Sequence, residues 1–190
     1  RRMRVIAGTA KRCRLVGPAG RSIRPTPERV REALFSILAA RIPKACFLDL
    51  FAGTGSVGIE ALSRGAARVI FVERNERAVN LIRENLRRTG LAGPRAIVYQ
   101  QDSLAALNIL ARKGERFDVI YIDPPYRKGY EYKALGLIAT KNLLVPEGLA
   151  IAESDWRNEL PQEIGSLVLW RRARYGDTLL SFYVFKEEAT

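Results

Sequence analysis

Cys46-Phe-Leu-Asp-Leu-Phe-Ala-Gly-Thr-Gly-Ser-Val-Gly58 decides the fold. Its first five residues form an apolar run short enough for a buried strand, and a turn with closely spaced glycines follows. Helical patterning then runs from Val57 to Arg64, with Gly65 placed to end it. A second stretch, Phe117-Asp-Val-Ile-Tyr-Ile-Asp-Pro-Pro-Tyr126, has the same form, an apolar run that ends in a polar cluster. In an open parallel sheet, ligands bind outside the carboxyl ends of the strands. Two such strand ends predict one crevice, with a cofactor at one and a substrate at the other.

Outward from these stretches, strands and helices alternate. Strands are expected at Arg68–Val72, Ala96–Tyr99 and Gly148–Glu153, and helices at Glu76–Thr89, Leu104–Lys113 and Tyr132–Lys141. Leu167–Arg174 and Thr178–Phe185 flank Tyr175-Gly-Asp177 and read as an antiparallel hairpin. Five βα units with a terminal hairpin predict an α/β, Rossmann-like fold, with a seven-stranded, mostly parallel sheet.

Before the first strand, Thr26-Pro27-Glu28 opens a helix, with Thr26 as N-cap and Pro27 at the first helical position. Val30, Ala33, Leu34, Ile37 and Leu38 form its buried stripe, and Arg29 and Arg31 lie off it. Residues 3–16 read as two short strands, Met3 to Ala7 and Cys13 to Val16. The expected organisation is a basic N-terminal β-hairpin extension over residues 1–25, packed on a domain of residues 26–190.

The chain has 190 residues, 47% of them hydrophobic, which is enough for one ordinary core. No apolar run approaches the ~18 residues of a membrane span. With two cysteines and no histidine, a disulfide framework, a metal site and imidazole catalysis are all disfavoured. The expected address is the cytoplasm. The net charge of +12 is uneven, because residues 1–31 hold ten Lys or Arg against the single acid Glu28. Basic residues interleaved with apolar ones point to a phosphate backbone as partner.

Gly53-Thr-Gly-Ser-Val-Gly58 formally matches the dinucleotide fingerprint, and Glu73 lies 20 residues beyond Gly53. The charges favour S-adenosylmethionine instead. Asp49, four residues before the first glycine, would repel a pyrophosphate, whereas it can help hold a sulfonium and an ammonium, directly or through water. Glu73 suits a ribose diol, and Asp102, at the end of the third strand, can accept from the adenine amine. In Asp123-Pro-Pro-Tyr126, the Asp123 carboxylate and the Pro124 carbonyl can accept hydrogen bonds from an exocyclic amine. They orient it and stabilise the positive charge that grows on nitrogen. Pro125 stiffens the turn, and Tyr126 can stack on a base splayed out of its helix.

Taken together, the motifs Met3-Arg-Val-Ile-Ala-Gly8, Arg24-Pro-Thr-Pro-Glu-Arg-Val-Arg-Glu32, Asp49 to Gly65 and Asp123 to Tyr126 carry a resemblance over essentially the whole chain. It resembles the bacterial RsmD-type 16S rRNA (guanine-N2)-methyltransferases. The resemblance implies a class I methyltransferase fold, S-adenosylmethionine as cofactor, and one guanine of 16S rRNA as target. It further implies an assembled or assembling small ribosomal subunit as partner, with ribosomal proteins near the site; nothing in the sequence demands more than a monomer. It places Asp49, Phe51, Gly53, Gly55, Glu73, Arg74, Asp102 and Ser103 at the cofactor and Asp123 to Tyr126 at the base. Thr26 and Arg29 close over the cofactor or position RNA, with Thr26 assigned to the first role. Arg4, Lys11, Arg12, Arg14, Arg24 and Arg29 form the RNA-binding set. One departure is Pro27, where the family often has a second Thr.

Three rival functions share parts of this pattern. A DNA adenine-N6 methyltransferase would use the same four-residue turn, but the chain has no room after it for a target-recognition insertion. A non-catalytic RNA-binding assembly factor would have no reason to keep Asp49, Glu73, Asp102 and Asp123. An NAD-dependent oxidoreductase is disfavoured by Asp49 and by the absence of histidine.

Overall fold

The computed structural model describes residues 3–19, 25–125 and 129–187. The chain divides into two compact units, Arg1–Ser103 and Leu104–Thr190.

The first unit is built on three parallel strands, β1 (Cys46–Leu50), β2 (Arg68–Glu73) and β3 (Ala96–Gln100), in the order β3-β2-β1. Continuous apolar runs suit strands covered on both faces, and Phe47, Leu48, Leu50, Val69, Phe71 and Val72 are fully buried. Helices α1 (Glu28–Ile37), α2 (Ser56–Ser63) and α3 (Glu76–Thr89) complete the unit. Helix α3 starts where the Asn75 side chain accepts from Ala78 N–H, and it stops at Gly90 in the left-handed conformation. Helix α2 packs so tightly on β2 that a Cβ on Gly58 would lie 2.3 Å from the Phe71 ring.

The second unit opens with α4 (Ser103–Arg112), whose first residue belongs to the first unit. It holds β4 (Phe117–Ile122), α5 (Tyr130–Lys141), β5 (Leu144–Asp155), β6 (Glu163–Ile164), β7 (Leu167–Tyr175) and β8 (Thr178–Phe185). Strands β4 and β5 are parallel, and β8, β7 and β6 continue from β5 in antiparallel order. The expected hairpin is β7–β8, with a bulge between Leu169 and Arg171. Eight strands are present among the described residues, one more than expected. The addition is the two-residue β6, too short to leave a period in the sequence. No helix among the described residues is long and apolar enough to cross a membrane.

Three expectations for the N-terminal part of the chain are corrected. Residues 3–16 form a hairpin, as expected, but not two regular strands: Val5 N–H donates to the Cys13 carbonyl, Leu15 N–H to the Met3 carbonyl and Arg12 N–H to the Val5 carbonyl, around a single antiparallel bridge, Arg4 with Arg14. Other backbone groups of the segment are bonded to side chains of α2 and α3. Ile6 and Ala7 N–H donate to the Glu60 carboxylate, and Ala10 N–H donates to Ser63 Oγ. Asn85 accepts from Val16 N–H and donates to the Val16 and Thr54 carbonyls. Arg31, expected off the buried stripe, is 0% exposed. Its Nε lies 3.6 Å from Glu60 Oε1, and its guanidinium also donates to the Arg4 carbonyl. A buried carboxylate needs a cation close by, so an arginine displaces an apolar residue from the stripe. The helix begins one residue later than expected, with Pro27 at the cap position and Thr26 buried just before it.

Gly8 sits where the segment crosses α2, at φ 85°, and a Cβ there would lie 1.9 Å from the Ser63 carbonyl oxygen. Gly8→Ala should therefore lift the segment off α2 and free the backbone at Lys11 and Arg12, whose side chains are already exposed, for cleavage by trypsin. Limited proteolysis should show cleavage within residues 3–19 well before the parent is cut, and equal cleavage rates would show that the contact is dispensable.

Candidate active site

The carboxyl ends of β1, β2 and β3 bring the predicted cofactor residues to one edge of the first unit. Asp49 pairs in register with Phe71, and Glu73 with Gln100, so Asp49, Glu73 and Asp102 stand at successive strand ends. Phe51 (φ 62°), Gly53 (φ 58°) and Gly55 (φ 78°) all adopt the left-handed region, which folds the loop tightly over the strand ends. For Phe51 that conformation is strained, and such strain persists only where the surroundings impose it. Here Ala52 N–H donates to the Val72 carbonyl at 2.8 Å and Gly55 N–H to the Ala52 carbonyl at 2.8 Å.

The loop N–H groups that a pyrophosphate would need are already taken by carboxylates. Gly53 N–H donates to Glu73 Oε2 at 2.9 Å, and Asn75 N–H donates to Glu73 Oε1 at 3.0 Å. Gly58 N–H, in the first turn of α2, donates to Asp49 Oδ2 at 2.9 Å. Gly55, at the cap position of α2, offers no side chain for that turn, so Asp49 serves in its place. The site supplies its own anions at the place where a dinucleotide would bring phosphates.

Asp49 is 2% exposed. Burial pushes its carboxyl up from 3.8 to about 8, the Gly58 N–H opposes the rise, and the charge of Glu73 adds to it. A pair of carboxylates with this imbalance fits a cationic ligand that bears hydroxyls. S-adenosylmethionine meets both conditions, since it carries a sulfonium, an ammonium and a ribose diol. Asp102 and Arg74 are exposed at the same edge. Ser103 is buried as the first residue of α4, and Phe51 is half-buried. Thr26 is also buried, in the same unit.

In the second unit, β4 ends at Ile122 and Asp123-Pro-Pro125 follows at once. Asp123 is half-buried, Pro124 is buried and Pro125 is exposed. Tyr126 lies outside the described residues, as does Arg24. Among the RNA-binding set, Lys11, Arg12, Arg14 and Arg29 are exposed. Arg4 is exposed too, but its Nη2 lies 3.1 Å from Glu28 Oε1. The polar residues that hold this set in place, Arg31, Glu60, Ser63 and Asn85, were missed in the sequence. Glu60 and Ser63 lie in the conspicuous run after the glycine turn. Their charge and hydroxyl on an otherwise apolar helix were the available signal.

The family model described as conserved hypothetical protein 95 matches residues 3–184. The Escherichia coli protein named ribosomal RNA small subunit methyltransferase D is 34% identical over 95% of this chain and 89% of its own length. The chain belongs to the RsmD family. Within the family, a Bacillus subtilis protein provisionally named rRNA methyltransferase YlbH is 39% identical over 95% of this chain and 98% of its own. The solved structure of Escherichia coli yhhF, provisionally described as a methyltransferase, superposes with a TM-score of 0.84 at 30% identity. It covers 98% of this chain and 99% of its own. The two units therefore carry the class I methyltransferase fold of the family.

A carboxyl raised in the folded chain keeps its proton over a pH range in which the unfolded chain has lost it. Stability therefore falls as pH rises from the ordinary 3.8 of Asp49 toward about 8. The slope can reach about 1.4 kcal/mol per pH unit. Asp49→Asn keeps an acceptor for Gly58 N–H without the charge. It should unfold at a higher denaturant concentration than the parent at pH 8 and show a flatter dependence between pH 5 and 8. An unchanged slope would assign the titration to another group.

Proposed function

We propose that this protein transfers a methyl group from S-adenosylmethionine to the exocyclic N2 of one guanine in 16S rRNA, acting in the cytoplasm as a monomer on assembled or assembling small subunits. The observation that carries the reading is the carboxylate-filled glycine loop. Gly53 and Gly58 N–H are given to Glu73 and Asp49, so two donors of the loop already face carboxylates, and no cation is bonded to those carboxylates among the described residues. That combination suits a ligand carrying positive charge and no phosphate. The names of the relatives, one of them a small-subunit rRNA methyltransferase, agree with it.

S-adenosylmethionine supplies an electrophilic methyl group when bound. Asp49 and Glu73 balance its charge, Glu73 takes the ribose hydroxyls, and Asp102 takes the adenine amine. An aromatic exocyclic amine is a weak nucleophile because its lone pair is delocalised into the ring. The Asp123 carboxylate and the Pro124 carbonyl draw hydrogen bonds from its two N–H groups, which turns the lone pair out of the ring. The same two acceptors stabilise the positive charge as the new N–C bond forms and the methyl–sulfur bond breaks to leave a neutral thioether, and the surplus amine proton passes to the Asp123 carboxylate and on to solvent. Proline suits the second position because it presents a carbonyl with no N–H of its own. The exposed cations Lys11, Arg12, Arg14 and Arg29 face phosphates, and Arg4 can leave Glu28 at little cost, since exposed pairs are worth about 0–1 kcal/mol.

The test is transfer of labelled methyl to unmethylated small subunits, naked rRNA and duplex DNA in parallel. Label on guanine N2 of the subunits is expected, and label on DNA adenine would replace the reading with its rival. Asp123→Ala should lower transfer at least about a hundredfold and leave calorimetric cofactor affinity unchanged. Glu73→Ala should weaken that affinity, and loss of both properties in Asp123→Ala would make Asp123 a structural residue. For the docking surface, joint reversal of Lys11, Arg12 and Arg14 to Glu should weaken rRNA binding. It should also flatten the dependence of log K on log salt by about two to three units of slope. An unaltered slope would place the docking surface elsewhere.

A further inference from the structure

The carboxyl end of the β4–β5 pair holds a second carboxylate that the mechanism above does not use. Ile122 and Ala152 are register partners in this parallel pair. Asp123, the first residue past β4, therefore comes next to Glu153, which is still inside β5 and paired with Leu180 of β8. Side chains alternate along a strand, so Tyr121 and Asp123 share one face of β4. Glu153 lies on that face as well, because the Tyr121 hydroxyl donates a hydrogen bond to Glu153 Oε2. Tyr121 is 1% exposed. Its buried ring cannot swing away, and its phenol fixes one oxygen of the Glu153 carboxylate from below. Glu153 itself is half-buried, as is Asp123. The outcome is two carboxylates side by side, with one oriented by a buried donor.

We infer that Glu153, oriented by Tyr121, is the specificity-determining acceptor for the N1–H of the target guanine, while Asp123 accepts from the N2 amine. This inference rests on the guanine-N2 reading proposed above. Guanine presents two adjacent donors on its Watson–Crick edge, N1–H and the N2 amine, and two adjacent carboxylates match that pattern. Adenine and cytosine carry a lone pair beside their amine, at N1 and N3, and a carboxylate facing that lone pair repels it. A flipped base is read on this edge, and a site built to accept a hydrogen bond discriminates strongly against an analogue that lacks the donor. Asp123 alone would accept any exocyclic amine. Glu153 restricts the choice to guanine.

The discriminating substrate is 2,6-diaminopurine, which keeps the N2 amine and replaces N1–H with a lone pair. Once the methylated guanine is mapped with the parent enzyme, rRNA carrying diaminopurine at that position can be made by ligation and assembled into subunits. The parent should prefer guanine by about a hundredfold or more in kcat/KM. Glu153→Gln, whose amide can donate to the N1 lone pair, should lose activity on guanine and bring the ratio to within about tenfold. Its affinity for S-adenosylmethionine should not change. Tyr121→Phe, which removes only the orienting hydroxyl, should narrow the ratio in the same direction, and it decides the matter if Glu153→Gln does not fold. A parent that does not distinguish the two bases overturns the inference. So does an equal loss on both substrates in Glu153→Gln, or an unchanged ratio in Tyr121→Phe. Failure of the parent to methylate any guanine N2 would overturn the functional reading itself, and that result is distinct because it appears before any variant is made.

Discussion

A buried carboxylate that accepts from a helix N-terminus is the constraint on which the first unit depends. Asp49 reaches from the end of β1 to Gly58 N–H, and the absence of a Cβ on Gly58 lets α2 settle against Phe71 and Val69. Strand, turn and helix are thereby locked into one piece. The electrostatic consequence follows from the same contact. A carboxylate held without a cation resists ionisation, and it draws in a ligand that carries the missing charge. Glu73 repeats the arrangement one strand over, bonding Gly53 and Asn75 at the turn. The loop is held together by the groups that prepare it for its cofactor.

Most of the scaffold was legible in the sequence because its signals are local. Apolar runs of five or six residues, glycines at turns and Asn75 before α3 each act within a few positions. The strand-end carboxylates were legible for the same reason, since a strand end is defined by the run before it. What could not be read was set by partners distant in the chain. Arg31 looked like a solvated residue because the acid it serves, Glu60, lies 29 positions later. The N-terminal hairpin forms, but Ile6, Ala10 and Val16 N–H were claimed by Glu60, Ser63 and Asn85, more than 50 residues away, which leaves it short of regular strands. Glu153 was read only as the last residue of a strand, because its value comes from register with β4 and from the Tyr121 hydroxyl.

The two ends of the mechanism use carboxylates in opposite ways. Asp49 is enclosed and lifted toward neutrality, which suits a group that waits for a cation. Asp123 is half-buried at the mouth of its strand, which suits the meeting with an incoming amine proposed for it. The same side chain can serve both purposes because its surroundings differ.

The attachment of the N-terminal segment also bears on how tightly a polyanion can be held. Loose basic tails must be ordered when they bind, at a cost of about 1–2 kcal/mol for each residue fixed. Such tails lose much of their Coulombic gain in this way. Here the backbone from Ile6 to Val16 is already fastened by Glu60, Ser63 and Asn85, so the ordering entropy was met when the chain folded. Lys11, Arg12 and Arg14 then present their charges from a rigid base, and little of the attraction is lost to immobilising the chain that bears them. A short stretch of cations can thus do the work of a much longer disordered arm.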